Sequence, residues 1–557
     1  MLHRVRYVIA CSLPLPLLLG LPAAAQPEGA AEPASAEWYR QTLALLRSSD
    51  EVIPPAVDAH PLTAMFNREA IIPPQCYTQT EGHFNPCYVC HQNERPGREN
   101  TMNDGDLQIA YSFSDVGLTN RWSNLFEDRT ERVAGISDAE ILAYVDEDNY
   151  SELAPRLEEA GFLGFIPDLK RLEEGAAAFD ELGFALDGSG WVAFNYKPLP
   201  STFWPTNGST DDVMIRLPEV YRQAPDGSYS RDVYLANLSI VEANVKGMKA
   251  ITTPPIDERA VGRDLDGNGS LSKAALIADV SSYVGNASGY LFLEGLYPHE
   301  TEFLHTVRYV GLDSDGGITY SRRMKEVRYM RKHETRVKRH LEELYREEGY
   351  AKDAGYLPGY INRREWGLDN GMGWVISGFI EDSRGRLRVN TYEETMFCMG
   401  CHTSIGSTID KTFSFPRKVD GADGWGYIDL RGMPDAPNVG ETRGEIETYF
   451  DRVGGGGEFR SNPEMEELWF EPGGSVAAGK VRAADVYTLT APSPERALEL
   501  NKAYRAIVED QDFMFGRDAT VTMPENVYEQ VDNETAPTLP ADRFFEWDIR
   551  LDWPAVR

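Results

Sequence analysis

Two five-residue segments constrain this chain of 557 residues more than any other feature: Cys87–Tyr88–Val89–Cys90–His91 and Cys398–Met399–Gly400–Cys401–His402. Thiols three positions apart sit on one turn of backbone, and a histidine follows directly. That spacing suits two thioether bonds to the vinyl groups of one haem, with the histidine held under the iron as proximal ligand. A redox dithiol would not need the trailing histidine, and zinc would want four closely grouped ligands. Each segment therefore predicts one covalent haem c. Cys87, Cys90, Cys398 and Cys401 are the attachment points, and His91 and His402 the iron ligands. The two histidines are 311 positions apart (402 minus 91), so the chain is not a tandem pair of minimal haem domains.

The N-terminus reads as an export leader. Arg4 and Arg6 precede an uncharged apolar run from Tyr7 to Leu21, and Ala23–Ala24–Ala25 fits a small-residue cleavage site. The run is short and interrupted by proline, so it does not read as a span of the mature protein. Val8–Ile9–Ala10–Cys11 superficially matches a lipoprotein cleavage box. It follows Arg6 too closely to leave an apolar segment, and cleavage after Ala25 is preferred. No later stretch reads as a membrane span, so the expected location is periplasmic or secreted. Loss of the leader removes two basic residues and takes the net charge from −33 to −35. Such a surface disfavours nucleic acid and anionic lipid, and favours cationic partners. Five cysteines remain beyond the leader; an odd number argues against a plain disulfide framework and leaves Cys76 outside the two motifs.

On these two motifs and the leader, the sequence resembles the c-type cytochromes. The resemblance covers well under a tenth of the chain. It implies haem attached after export, and redox proteins as partners. Electron transfer is the expected function. The alternative is a dihaem oxidoreductase resembling the bacterial dihaem peroxidases, with one electron-transfer haem and one catalytic haem.

The second axial position decides between carrier and enzyme. Candidate histidines are His60, His83, His299, His305, His333 and His340. His305 stands out because Phe303–Leu304–His305–Thr306–Val307 would bury it. Among methionines, Met433 in Gly432–Met433–Pro434 is better placed than Met523, since a Met-Pro loop after the motif resembles the distal segment of small cytochromes c. Met102, 11 positions after His91, reads as too close to cross to the other face.

Asp264–Leu265–Asp266–Gly267–Asn268–Gly269–Ser270 matches the opening of a calcium loop, with Asp264, Asp266, Asn268 and Ser270 as candidate ligands. Ala275 stands where a bidentate glutamate is expected. Asp279, one turn on, is the substitute considered, and an ordinary Asn-Gly turn is the plain reading.

The expected fold is α+β, mainly helical with irregular loops, with two haem regions separated by a long middle segment. The divisions are 1–25 leader, 26–50 linker and short helix, 51–150 first haem region, 151–390 middle region with the calcium loop, and 391–557 second haem region. A long helix is expected from Tyr320 to Glu348, with Met330, Val337, Leu341 and Leu344 as its apolar stripe and His333 and His340 at its edge. Its many arginines and lysines read as an ion-paired face, or as partners for haem propionates. A capping box at Ser137–Glu140, a hairpin around Ser383–Arg384–Gly385 and a helix near Pro494–Glu509 complete the expectation.

Overall fold

The computed structural model describes residues 36–48, 50, 52, 69–79, 86–93, 98, 101–110, 113–200, 203–354, 359–403, 405–454, 462–536 and 545–557. The leader, its cleavage site, most of the linker, His60 and His83 lie outside the described residues.

Strands in chain order are β1 (Val192–Ala193), β2 (Thr210–Arg216), β3 (Ile251–Asp257), β4 (Lys273–Ile277), β5 (Glu302–Leu312), β6 (Ile318–Lys332), β7 (Ile361–Asn362), β8 (Leu368–Asp369), β9 (Trp374–Glu381) and β10 (Leu387–Val389). Eight of them form one antiparallel sheet in the order β1-β2-β5-β6-β9-β8-β7, with β10 also paired to β9. β3 and β4 form a separate two-stranded sheet. This corrects the mainly helical expectation: the centre of the molecule is a large sheet, with helices and loops packed around it.

The largest single correction falls on Tyr320–Glu348. Residues Ile318–Lys332 are the longest strand, β6, and only Lys338–Asp353 is helical. The expected stripe joined Met330 on the strand to Leu341 and Leu344 on the helix, across a turn containing His333, while Val337 is 52 % exposed. Strand periodicity was hidden because each face of β6 mixes charged and apolar residues, Glu326, Arg328 and Met330 on one and Val327, Tyr329 and Arg331 on the other. Phe303, His305 and Val307 on β5 pair with Met330, Arg328 and Glu326 on β6, so these six side chains share one face. The opposite face carries Met214, Leu304, Val327, Tyr329, Phe379 and Leu387, which pack against Leu153, Leu157, Phe162, Leu169 and Leu172. Purely local reading of a two-sided strand sees no clean alternation.

Other elements follow their local signals. β9 and β10 form the expected hairpin, in register Leu387 to Glu381, with Gly385 at φ 78° in the turn. Ser137 accepts from the Glu140 backbone N–H and opens Asp138–Asp146. Ser493 does the same for Pro494–Asp510, with proline at its first turn. The helix Arg231–Lys246 is buried along nearly its whole length and packs on the face of the sheet that bears Phe303 and Met330.

Candidate functional site

Both Cys-x-x-Cys-His segments fold into the same local shape. In the first, a short 3-10 turn over Pro86–Val89 ends with the His91 N–H donating to the Cys87 carbonyl at 2.8 Å. In the second, the helix Tyr392–Met399 delivers Cys398, and the His402 N–H donates to the Cys398 carbonyl at 3.2 Å. That helix begins with a capping box between Thr391 and Glu394, which fixes its start one turn and a half before the first thiol. Two thiols and an imidazole are thus gathered on one turn, twice.

The fold then brings the two turns together. The Ser407 N–H donates to the Cys90 carbonyl at 3.0 Å, and Arg98 donates to the Gly406 carbonyl at 2.7 Å. Gly406 is obligatory here: a Cβ would lie 2.4 Å from the Gln92 carbonyl oxygen. Gly400, inside the second motif, is equally hemmed in, since a Cβ would lie 2.1 Å from the Ile71 carbonyl oxygen.

Cys87, Cys90, His91, Cys398, Cys401 and His402 all line one cavity of about 850 Å³, roofed by the sheet face that carries Phe303, His305 and Arg328. This is at the upper end of the ~300–1,000 Å³ usual for ligand pockets. The cysteines are free of disulfides. Burial pushes the Cys87 thiol up to about 12 and that of Cys401 to about 11.

Each motif histidine has its Nδ1 tied back. His91 Nδ1 is 3.0 Å from Asp104 Oδ2, and Asp104 is itself held by the Gln92 N–H at 3.1 Å. His402 Nδ1 is 3.1 Å from the Lys411 carbonyl oxygen. Such a bond to Nδ1 fixes the ring and directs Nε2 to a metal. Burial also pushes His402 down to about 4, so the ring is neutral, as a ligand must be. The donor set, its tautomers and the cavity therefore fit a haem on each motif.

The remaining candidates separate cleanly. His305 lines the cavity from β5, with Nε2 3.3 Å from Asp211 Oδ2 and its ring edge-on to Phe203. Tyr196 donates to the same Asp211 oxygen. Met102 also lines the cavity, against the expectation that it would lie too close to its motif. Met330 lines it too, unseen from sequence because β6 was read as helix. Met433 does not reach it: it is 5 % exposed in a cluster with Ala436, Ile446 and Tyr449, and Val486 donates to its carbonyl. Met523 and His299 are exposed. His333 lies 3.2 Å from Asp369, and His340 Nε2 3.1 Å from Arg336, both away from the cavity. Cys76 lines the cavity, its thiol raised by burial and then by Cys87 and Cys401.

The acidic loop gains a residue the sequence did not reveal. Glu258, fully buried, places a carboxylate within 4.8 Å of those of Asp264 and Asp266. Its oxygens accept from the Leu265, Asp266 and Ser272 N–H groups. Asn268 and Ser270 complete the turn, with Ser270 donating to Asn268 Oδ1. Asp279 instead lies 3.5 Å from Arg263. The pattern mismatch at position twelve hid a carboxylate that comes from upstream.

The chain matches the model of a lipoprotein family over residues 60–488. It belongs to that family. It is also 32% identical over 540 residues to an uncharacterized lipoprotein of Aquifex aeolicus (strain VF5), covering 84% of this chain and 89% of the relative. No solved structure matches it. Membership corrects the resemblance drawn from the two motifs: the relatives are lipoproteins, and the c-type cytochromes are not the family of this chain. It also puts the protein outside the cytoplasm. Among the described residues, no helix is long and apolar enough to cross a membrane.

Proposed function

We infer that this lipoprotein carries two covalently attached haems in one cavity and passes electrons between redox partners outside the cytoplasm. One observation carries the reading: two turns 311 residues apart in sequence present four thiols and two imidazoles, each Nδ1 already bonded, to a shared space. A haem bound there would supply a one-electron couple at each iron. The chain's part is to hold both groups side by side, orient each proximal imidazole and keep bulk water away.

A dihaem oxidoreductase is the second reading. The His305–Asp211 pair favours it, because a polar, hydrogen-bonded imidazole on the cavity wall can move a proton beside a vacant iron position. Where the protein sits follows from its leader. Lipoprotein membership supports lipid attachment at Cys11 over cleavage after Ala25, and mass analysis of the mature N-terminus distinguishes the two.

The deciding experiment is intact mass and reduced-state spectroscopy of the exported protein. Two haems should survive denaturation, and the Cys87→Ala/Cys90→Ala double substitution should remove one. A bare polypeptide mass would end the reading. Both ferrous irons ignoring carbon monoxide supports the carrier; stoichiometric binding to one supports the enzyme.

A further inference from the structure

One stretch of the cavity wall gathers cations in a chain that is strongly acidic as a whole. Against a net charge of −33, the sheet face and the segment after Phe515 bring two guanidiniums to a single carboxylate. Arg328 Nε donates to Glu326 Oε2 at 2.8 Å, and Arg517 Nη1 lies 2.8 Å from the same oxygen. Arg517 Nη2 donates to the Glu394 carbonyl, but the Glu394 carboxylate is engaged by Arg388 at 2.7 and 2.8 Å. Arg517 is 6 % exposed, and its Nε is buried with no hydrogen-bond partner. Arg328 gives only Nε to Glu326; its two terminal nitrogens bond no described residue, and it lines the cavity together with Cys398 and Cys401. Lys325, on the same wall, adds a third cation whose Nζ donates to the Gly208 carbonyl and Ser209 Oγ.

Arg517 is buried and Arg328 half-buried, and two cations sharing one carboxylate leave positive charge that a second anion would balance. Guanidinium groups with free terminal N–H donors match a planar oxyanion best.

We propose that Arg328 and Arg517 form an oxyanion site on the cavity wall, built for a carboxylate-type group. The favoured occupant is a propionate of the haem on Cys398 and Cys401, so this part rests on the haem reading. A free small oxyanion entering the cavity presents the same chemistry. Either occupant restores charge balance at Glu326.

The test uses the full exported chain, with haem content checked by intact mass. Arg328→Gln and Arg517→Gln are compared with Arg331→Gln, a control on the same strand that pairs with Glu300 at the surface. Each haem's reduction potential is read by spectroelectrochemistry in buffer free of small oxyanions, and then with sodium nitrite or sodium acetate. If a propionate is the occupant, Arg328→Gln and Arg517→Gln lower the potential of one haem only, because loss of a nearby cation disfavours the added electron. Arg328→Lys, which keeps the charge, recovers most of that shift. If a free oxyanion is the occupant, potentials in the clean buffer stay put. Wild type then shows a saturable spectral response to nitrite or acetate that Arg328→Gln lacks. Unmoved potentials with no anion response, or equal shifts from Arg331→Gln, overturn the site. A chain without haem would sink the haem reading separately; calorimetric titration of that chain with nitrite or acetate would still judge the anion site, and no heat would overturn it.

Discussion

Glu445 offers a quantitative check on how the cavity wall is held. It opens the helix Glu445–Val453, is 1 % exposed, and accepts from Arg417 Nη1 at 2.9 Å, Arg417 Nη2 at 2.5 Å and Asn438 at 3.1 Å. Lys197 Nζ lies 2.9 Å away. Arg417 in turn lines the cavity and donates to the Lys197 and Pro198 carbonyls. Burial alone would raise this carboxyl; Arg417 and Lys197 outweigh it and hold the group at about 2, below its ordinary 4.5. A depression of that size corresponds to roughly 3 kcal/mol of linked stability at pH 7. Breaking a buried ion pair by removing one partner costs a similar ~3–5 kcal/mol. Glu445→Gln should therefore destabilise by about 3 kcal/mol at neutral pH. The folded pKa is depressed, so the contribution is present above pH ~4.5 and lost as pH falls toward 2; more than half of it should be gone by pH 3. Urea unfolding followed by tryptophan fluorescence, at pH 7 and pH 3, measures both values. A difference below about 1 kcal/mol at pH 7, or one that does not narrow in acid, would refute the assignment of a charged, paired Glu445.

Other expectations follow from the same contacts. Glu381 is fully buried among Arg323, Tyr309 and Tyr144 and is raised to about 7, by burial first. A raised carboxyl stabilises below its unfolded value and loses that contribution as pH rises through about 7, so Glu381→Gln should flatten the fall of thermal midpoint between pH ~4.5 and 7; an unchanged slope would exclude it. Gly406→Ala should drive the two motif loops apart; on the proposed haem reading it lowers the haem content of both motifs together, and full occupancy of both would contradict the crossing geometry. His305→Ala should convert one low-spin iron to high-spin if His305 ligates, and an unaltered spectrum would leave Met102 and Met330 as the cavity-facing alternatives. Millimolar calcium should raise the thermal midpoint, with the gain lost in Asp264→Ala; calorimetry showing no heat would leave an ordinary turn.

The candidate side chains were more legible in the sequence than the architecture. Cys87 to His91 and Cys398 to His402 were readable because thiol spacing and an adjacent imidazole form a contiguous signal. The Ser137 cap, the helix from Pro494 and the Ser383–Gly385 hairpin were readable for the same reason, since each is decided within a few residues. β6 was not. Glu326 and Arg328 share a face with Met330, while Val327 and Tyr329 share the other with Arg331, and the register shifts around Arg308, so neither helical nor strand alternation stood out. Met433 was preferred on loop chemistry alone, yet it packs with Ile446 and Tyr449. Glu258 joins the acidic loop from upstream, where no calcium-loop pattern looks for it.

The sequence by itself determined the reactive groups: four thiols and two following histidines. It could do so because each depends on bonded neighbours and local turns. Only the tertiary structure decided that both motifs open on one cavity, that His305, Met102 and Met330 reach it, and that Arg328 and Arg517 share Glu326 there. Those relations depend on sheet register and on loops crossing at Gly406. The register joins strands tens of positions apart and the crossing joins Arg98 to Gly406 across 308 positions, through contacts that leave no mark on the intervening sequence.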